Sequence, residues 1–513
     1  MVSQINQRPS AAPYAAVADS SRRDGDPPSL RVRQPLTPFP ELDCIRHLIP
    51  VGVVAEAERR AREVGVGADR ALISAGAISE HDYVAALARH LGIPLITLDE
   101  MPRENCAFDD EHLLGAPAFG VLPLWGGDNA EDPTVLVAPR KFQARQLCTR
   151  SRNGDLPPRL GLMTNAGLQG FVDRHCVDAI GRRASELLRD NHPQLSAARP
   201  DWQMRSLCGF TVVSVAIGVL VAPSETYLSI SVFFSLLFVA WTALRLMAMV
   251  KTHVVTRLTT PHPHDLPEYT IIVALHREAA MVGQLVTALN AFKYPREKLD
   301  IKLVVEPDDI ETRAAIAQLT LGSHYQIVVA PKTLPRTKPK ALNAALPFAR
   351  GEFTAIYDAE DRPDSDQLLS ALEVFWRGGE KLACVQGRLT IDNTSDSWLT
   401  KLFTAEYCGL FDVFLPALAA WRLPLPLGGS SNHFRTAALH EIGGWDPYNV
   451  TEDADIGMRL ARLGYETAVM ASTTYEEAPG RLEPWLKQRS RWFKGWIRIV
   501  NQTKFFINIS GKR

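Results

Sequence analysis

An α/β architecture, with a mostly parallel sheet set behind a transmembrane helical hairpin and a small mainly helical N-terminal domain, follows from three features of the chain. Short β-rich runs alternate with helical patterns from Thr270 onward, two long apolar runs lie between Leu207 and Val250, and helical apolar spacing covers Leu42 to Asp99. The composition agrees: 513 residues, 46% hydrophobic and 22% charged, are too apolar for a disordered chain and enough for two or three cores. A formal net charge of -1 leaves no basic footprint of the kind nucleic-acid binding requires, so no nucleic-acid partner is expected. Seven cysteines, odd in number and never spaced CxxC, argue against a zinc ribbon or a disulfide framework and for reduced thiols.

Residues 1–40, rich in Pro, Ser, Arg and Ala and without an apolar h-region, read as a disordered, retained tail. Residues 41–200 form the N-terminal module. There Gly76 separates two helices, Ser79 with Asp82 is an N-cap signature, and Gly92 with Pro94 behind it stops the next helix. One strand is expected at Thr134 to Ala138, with a basic helical stretch before the apolar runs.

Residues 201–255 carry the hairpin. Leu207 to Pro223 and Tyr227 to Val250 are runs of 17 and 24 residues separated by Ser224, Glu225 and Thr226. Arg205 before the pair, and Lys251 and Arg257 after it, put both ends on the cytoplasmic side by the positive-inside rule. A buried helical pair in a soluble core is the other reading of such runs. A Pro/His linker, Thr260 to Pro267, leads into the α/β domain; His262 and His264, without a third ligand, read as spacer residues.

Residues 265–500 alternate in type. Strands are expected at Thr270 to Ala274, Ile301 to Val305, Gln326 to Ala330, Phe353 to Tyr357 and Leu382 to Gln386, with helices at Met281 to Phe292, Glu311 to Leu319, Ala341 to Phe348 and Asp366 to Phe375. Ligands of such a sheet gather beyond the carboxyl ends of the strands. Two of those ends are acidic: Glu306-Pro307-Asp308-Asp309 and Asp358-Ala359-Glu360-Asp361. Carboxylates at alternate positions grip one hard cation, Mg²⁺ or Mn²⁺, while a diphosphate supplies further oxygens. No glycine-rich phosphate loop is present, so a diphosphate must be neutralised by metal and cationic side chains. Glu452 and Asp453 open a helix, where capping is the plain explanation. Gln488, Arg491 and Trp492 share one helix face, which also suits a basic helix lying on a bilayer.

In order, Leu275-His276-Arg277-Glu278, the Glu306 to Asp309 turn, Lys338-Pro339-Lys340-Ala341-Leu342-Asn343 and the Asp358 to Asp361 turn are followed by Gly428-Gly429-Ser430-Ser431-Asn432-His433. Then come Gly443-Gly444-Trp445-Asp446, Thr451-Glu452-Asp453 and Gln488-Arg489-Ser490-Arg491-Trp492. This series resembles the processive membrane glycosyltransferases of family 2, which include cellulose, chitin and hyaluronan synthases. The stretch Leu42 to Asp99 more loosely resembles the N-terminal domain of type II secretion ATPases, some of which bind cyclic di-GMP; a helical docking or spacer domain is the alternative.

The first resemblance implies a GT-A-like (Rossmann-like) domain, a UDP-sugar donor, UDP-glucose ahead of UDP-N-acetylglucosamine, a glycan acceptor, Mg²⁺ or Mn²⁺, and an inner-membrane location. It implies Asp453 as catalytic base and Asp358 and Glu360 as metal ligands, with Asp361 able to share that task. Glu278, Glu306, Asp308, Lys338, Asp358 and Arg491 fall on the donor side. Glu452, Gln488, Trp492 and His433 fall on the acceptor side. Relatives that extrude a polymer carry further membrane helices where only 21 residues follow Trp492, which leaves truncation, partner subunits or transfer without secretion open. A membrane receptor or scaffold that keeps the fold without the activity is the alternative of a different class.

Overall fold

The computed structural model describes residues 38–126, 132–198, 202–250 and 261–503. The tail expected over 1–40 lies outside them except for 38–40, as do Lys251, Arg257 and Thr260. Phe39 to Arg513 cluster as one compact unit.

The N-terminal region begins with helices Val51–Val64, Ala68–Ser74 and Glu80–Leu91. Ser79 caps the third: its Oγ accepts the Asp82 N–H at 3.1 Å and donates to the Asp82 carboxylate at 2.6 Å. Gly92 ends that helix in the left-handed region, with φ 68°. Strands β1 (Val121–Pro123), β2 (Val135–Val137) and β3 (Leu160–Leu162) form a small sheet, antiparallel then parallel. Only β2 was legible, because three residues are too few to display a period.

The large sheet contains β4 (Tyr269–Leu275), β5 (Leu299–Val305), β6 (Tyr325–Val329), β7 (Phe353–Tyr357), β8 (Arg362–Pro363), β9 (Leu382–Ile391), β10 (Asn432–Arg435) and β11 (Glu466–Glu476). Their order is β6-β5-β4-β7-β10-β9-β11-β8. The first four are mutually parallel, but β10 enters antiparallel to both β7 and β9, and β8 is antiparallel to β11. The sheet is therefore mixed, which corrects the mostly parallel expectation. β10 escaped notice because its four residues, Asn432-His433-Phe434-Arg435, carry almost no apolar alternation.

Strand alternation divides the core. Ile272 and Val304 face a cluster with Leu342, Trp445, Phe171 and Ala184, so helices of the N-terminal region cover that face. Ile271, Val273, Leu303 and Val305 face the opposite cluster, with Leu285, Leu289, Leu372 and Phe375 from helices Val282–Asn290 and Gln367–Gly378. Asn343 fastens the two regions: its amide donates to Ala184 O at 3.1 Å and Trp445 O at 2.7 Å, and its Oδ1 accepts the Trp445 N–H at 2.9 Å. Asp446 adds an acceptor for the Ser196 hydroxyl at 3.3 Å. These two residues, quoted above for the resemblance, thus hold the fold.

The apolar runs form consecutive helices, Trp202–Val221 and Pro223–Met249, joined at Ala222. Ser224, Glu225 and Thr226 lie in the first turn of the second helix rather than in a loop, because Pro223 with its fixed φ starts that helix. The helices meet where Gly218 leaves room for the Thr226 side chain. Among the described residues, two helices are long and apolar enough to cross a membrane: Pro223–Met249, with none of its most apolar window buried, and Trp398–Ala420, partly buried and containing the π-helical turn Cys408–Phe414. They touch through Trp241 and Phe414, whose ring centroids lie 5.4 Å apart.

Candidate active site

Because β4, β5 and β7 are parallel neighbours, the segments leaving their carboxyl ends converge: His276 to Glu278, Glu306 to Asp309, and Asp358 to Asp361. β10 runs the other way, so the loop before it, Gly428 to Ser431, joins the same edge. The first turns of helices Lys338–Ala345 and Glu452–Arg462, and one face of helix Leu482–Thr503, complete a cleft of about 1010 Å³.

Lys338 is the central cation. It ion-pairs with Asp358 and donates to Gly429 O at 2.8 Å. Burial works against its charge, yet Asp358 and Glu452 outweigh burial and hold its pKa above the ordinary lysine value. Glu360 reaches into the cleft beside Asp358; desolvation and then Asp358 raise its pKa. Asp361 faces inward instead. It is 1% exposed and accepts the Asp358 N–H at 2.6 Å and the Ser430 hydroxyl, so it shapes the turn that carries Asp358. Burial, then Asp358, pushes its carboxyl well up.

Glu452 and Asp453 sit side by side opposite Lys338. Desolvation and then Asp453 push Glu452 up to about 7, and desolvation also raises Asp453. Asp453 accepts the Ala454 N–H at 2.8 Å, and its other oxygen lies against Gly429, where a Cβ would stand 3.4 Å away. Gln488, Arg491 and Trp492 line the cleft on helix Leu482–Thr503; Arg491 is exposed, with no ion-pair partner among the described residues. That helix is seated tightly, since Gly495 packs directly on Thr451.

The remaining expected residues divide. Glu278 lines the cleft, its pKa raised by desolvation and then Asp358. Asp308 is exposed there and paired with Arg336 at 2.7 Å, which holds its carboxyl below the usual range. Glu306 borders the cleft but is committed to a buried ion pair with Lys340 Nζ at 3.0 Å. His433 is the correction: it is fully buried in β10, with Nδ1 2.6 Å from the Tyr269 hydroxyl, and burial lowers its pKa to about 3. Its ring packs against Tyr269 of β4 and Tyr357 of β7 and does not line the cleft, because β10 alternation turns it inward.

Sequence reasoning missed four participants. Arg277 lines the cleft with a left-handed φ of 63° and donates its N–H to Asp309 Oδ2 at 2.5 Å. Glu476, at the end of β11, adds a carboxylate raised by desolvation and by Asp361 and Asp358. Arg489 lies 4.6 Å over the Trp492 ring and 5.0 Å over Phe403 while pairing with Glu406 at 2.6 Å, fixing the tryptophan. Arg336 holds Asp308. Of these, only Arg489, three residues before Trp492 on the same helix face, carried a sequence signal.

Among the described residues no group of three or more His, Cys, Asp or Glu side chains is arranged to hold a metal. The donor chemistry nevertheless fits a hard divalent cation: Asp358 and Glu360 present oxygens to one cleft, and desolvation, followed by the charge of Asp358, or of Asp361 and Asp358 at Glu476, raises Glu360, Glu278 and Glu476 around it.

Acid pairs, a half-buried lysine and a Trp-bearing helix thus gather at the carboxyl edge of the large sheet. Residues 267–495 match the family described as "Glycosyltransferase like family 2", and the chain carries a glycosyltransferase family 2 domain there. It is 23% identical over 239 residues to "Probable glycosyltransferase YdaM" of Bacillus subtilis (strain 168), covering 46% of this chain and 57% of that one. It is 29% identical over 236 residues to "Beta-monoglucosyldiacylglycerol synthase" of Trichormus variabilis, covering 45% and 49%. Against "Poly-beta-1,6-N-acetyl-D-glucosamine synthase" of Staphylococcus aureus (strain COL), identity is 26% over 253 residues, covering 48% and 59%. The chain thus spans about half the length of the curated relatives it matches. A solved mannosyltransferase of Pyrobaculum calidifontis, in complex with GDP-Man and Mn²⁺, aligns at TM-score 0.40 with 22% identity, covering 51% of this chain and 73% of that one.

Proposed function

We propose that the chain is an inverting, membrane-bound glycosyltransferase of the cellulose-synthase-like type, moving a hexose from a UDP-sugar, UDP-glucose first, to a growing polysaccharide or other glycan acceptor. The observation that carries this is the meeting of Lys338, the Glu452–Asp453 pair and the Arg491–Trp492 face in one cleft.

The acceptor hydroxyl gives its proton to Asp453 as its oxygen bonds the anomeric carbon. The bond from that carbon to the diphosphate oxygen breaks, and its electron pair leaves with UDP. General-base catalysis of this kind is worth roughly 10²- to 10⁴-fold. Lys338 and Arg491 meet the charge growing on the leaving group, and Trp492, braced by Arg489, offers a flat apolar face to a sugar ring. Asp358 and Glu360 would hold a divalent cation, Mg²⁺ or Mn²⁺, which would supply further charge neutralisation to the diphosphate. Glu452, its own carboxyl raised by desolvation and then by Asp453, orients the acceptor.

The exposed apolar helix Pro223–Met249, with the shorter apolar stretch Cys208–Val221 before it, supports anchoring in the inner membrane, and the positive-inside reading of the sequence puts the catalytic domain on the cytosolic side. Cyclic di-GMP at the secretion-ATPase-like module is the regulatory ligand that the sequence resemblance implies. The test of transfer is UDP release from membranes containing the chain, given Mg²⁺ or Mn²⁺ and a panel of UDP-sugars with acceptor. We expect release with one donor and its loss in Asp453→Asn. Release that persists in a folded Asp453→Asn protein overturns the base assignment.

A further inference from the structure

Gln386 ends an apolar run on β9, is 1% exposed and lines no part of the catalytic cleft. An amide side chain buried this fully needs partners for its oxygen and for both of its N–H groups. Gln386 finds all three, and two of them lie in the loop before β10. Its Oε1 accepts the Gly428 N–H at 2.7 Å, and its Nε2 donates to Ser430 O at 2.9 Å and to Gly387 O at 2.8 Å. One side chain therefore grips the loop on both sides of Gly429.

Gly429 is the residue whose carbonyl accepts Lys338 Nζ at 2.8 Å. A glycine does not fix the direction of its own carbonyl, so its flanks must. The far end of the loop is tied to other elements. Asn432 donates to Gly428 O at 2.6 Å, the Ser431 N–H donates to Ile356 O at 2.9 Å, and the Ser430 hydroxyl donates to Asp361, which also accepts the Asp358 N–H. Gly387 lets the loop lie this close to β9, since a Cβ there would stand 3.0 Å from the Ser431 Cβ. The ammonium of Lys338 has three donors; Asp358 and Gly429 O take two, which leaves one for a diphosphate oxygen. Without the carbonyl, a charge on a flexible four-carbon stem keeps only the Asp358 pair to hold it.

We propose that Gln386 is a positioning residue for the glycosyl transfer put forward above, acting through Lys338: it aims the Gly429 carbonyl so that the lysine ammonium stays directed at the donor diphosphate. This rests on the glycosyltransferase reading of the cleft. Gln386 itself touches neither donor nor acceptor.

The test measures UDP affinity by calorimetry and UDP release on the full chain in lipid nanodiscs with Mg²⁺. Lys338→Met should weaken UDP binding on the order of tenfold or more, the loss of one charged hydrogen bond. Gln386→Met, close to glutamine in volume but unable to hold the loop, should also weaken it about tenfold and lower kcat/KM, with circular dichroism unchanged. In the Lys338→Met chain the same substitution should change UDP affinity by about threefold or less, because the group through which it acts is gone. If Gln386→Met fails to fold, Gln386→Asn, one methylene too short to span Gly428 and Ser430, carries the same expectations. Equal losses in the two backgrounds mark a glutamine that only stabilises the fold and overturn the proposal, as does wild-type UDP affinity in Gln386→Met. A wild-type chain that neither binds nor releases UDP fails the glycosyltransferase reading and this inference with it; one that does both while the Gln386 variants match it fails the inference alone.

Discussion

Replacing Gly495 by alanine tests whether the helix bearing Gln488, Arg491 and Trp492 must sit directly on the turn that bears the base. A methyl at that position would fall inside contact distance of the Thr451 Oγ1 and Cγ2 and 2.6 Å from its Cβ, where ordinary contact begins at 3.4 Å. The helix or the turn must therefore move by about 0.8 Å at the least. Thr451 immediately precedes Glu452 and Asp453, so the displacement separates base from Trp492. A misplacement near 1 Å costs on the order of 10²-fold in rate. Alanine is itself a better helix former than glycine by roughly 1 kcal/mol, so loss of the helix is not the expected route. In the UDP-release assay kcat should fall on the order of 10²-fold, with circular dichroism unchanged. Thr451→Ala in the same chain removes Oγ1 and Cγ2 but keeps Cβ, and should restore part of the rate. Wild-type turnover in Gly495→Ala, or no rescue by the second substitution, would refute the reasoning.

Lys340→Met leaves the Glu306 carboxylate buried without its cation and should cost about 3–5 kcal/mol of stability in denaturant unfolding. A change below about 1 kcal/mol would mean that water replaces the lysine. Desolvation raises the Asp453 carboxyl, so protonation should disable the base as pH falls, and turnover should show an acid limb that begins above the ordinary aspartate range. Chelation with EDTA should abolish turnover, and Mg²⁺ or Mn²⁺ should restore it, less effectively in Glu360→Gln. Turnover indifferent to EDTA would remove the metal from the scheme.

Local periodicity made β4, β5, β6 and β7 legible to within a residue or two, because each is an apolar run whose alternation depends only on its own side chains. The same holds for the Ser79 cap and for the long apolar helices. Acidic groups at the ends of β5 and β7 could be singled out since parallel strands bring their carboxyl ends together. The functional half was harder. Glu306 looked as free as Asp308, yet Lys340, 34 positions away, claims it. His433 looked like part of a polar loop, yet the antiparallel entry of β10 turns it into the core.

The sequence by itself determined the apolar helices, the parallel strands and which acids stand beyond them. It took the packed fold to show that Asn343 ties the N-terminal helices to Trp445, that Arg489 braces Trp492 while paired with Glu406, and that His433 turns to Tyr269. The reason is physical. Secondary structure follows from contacts between residues two to four positions apart, which any reader of the chain can see. A side chain's partner, and hence its charge state and its role, depends on which distant segment the packed sheet brings within about 3 Å of it.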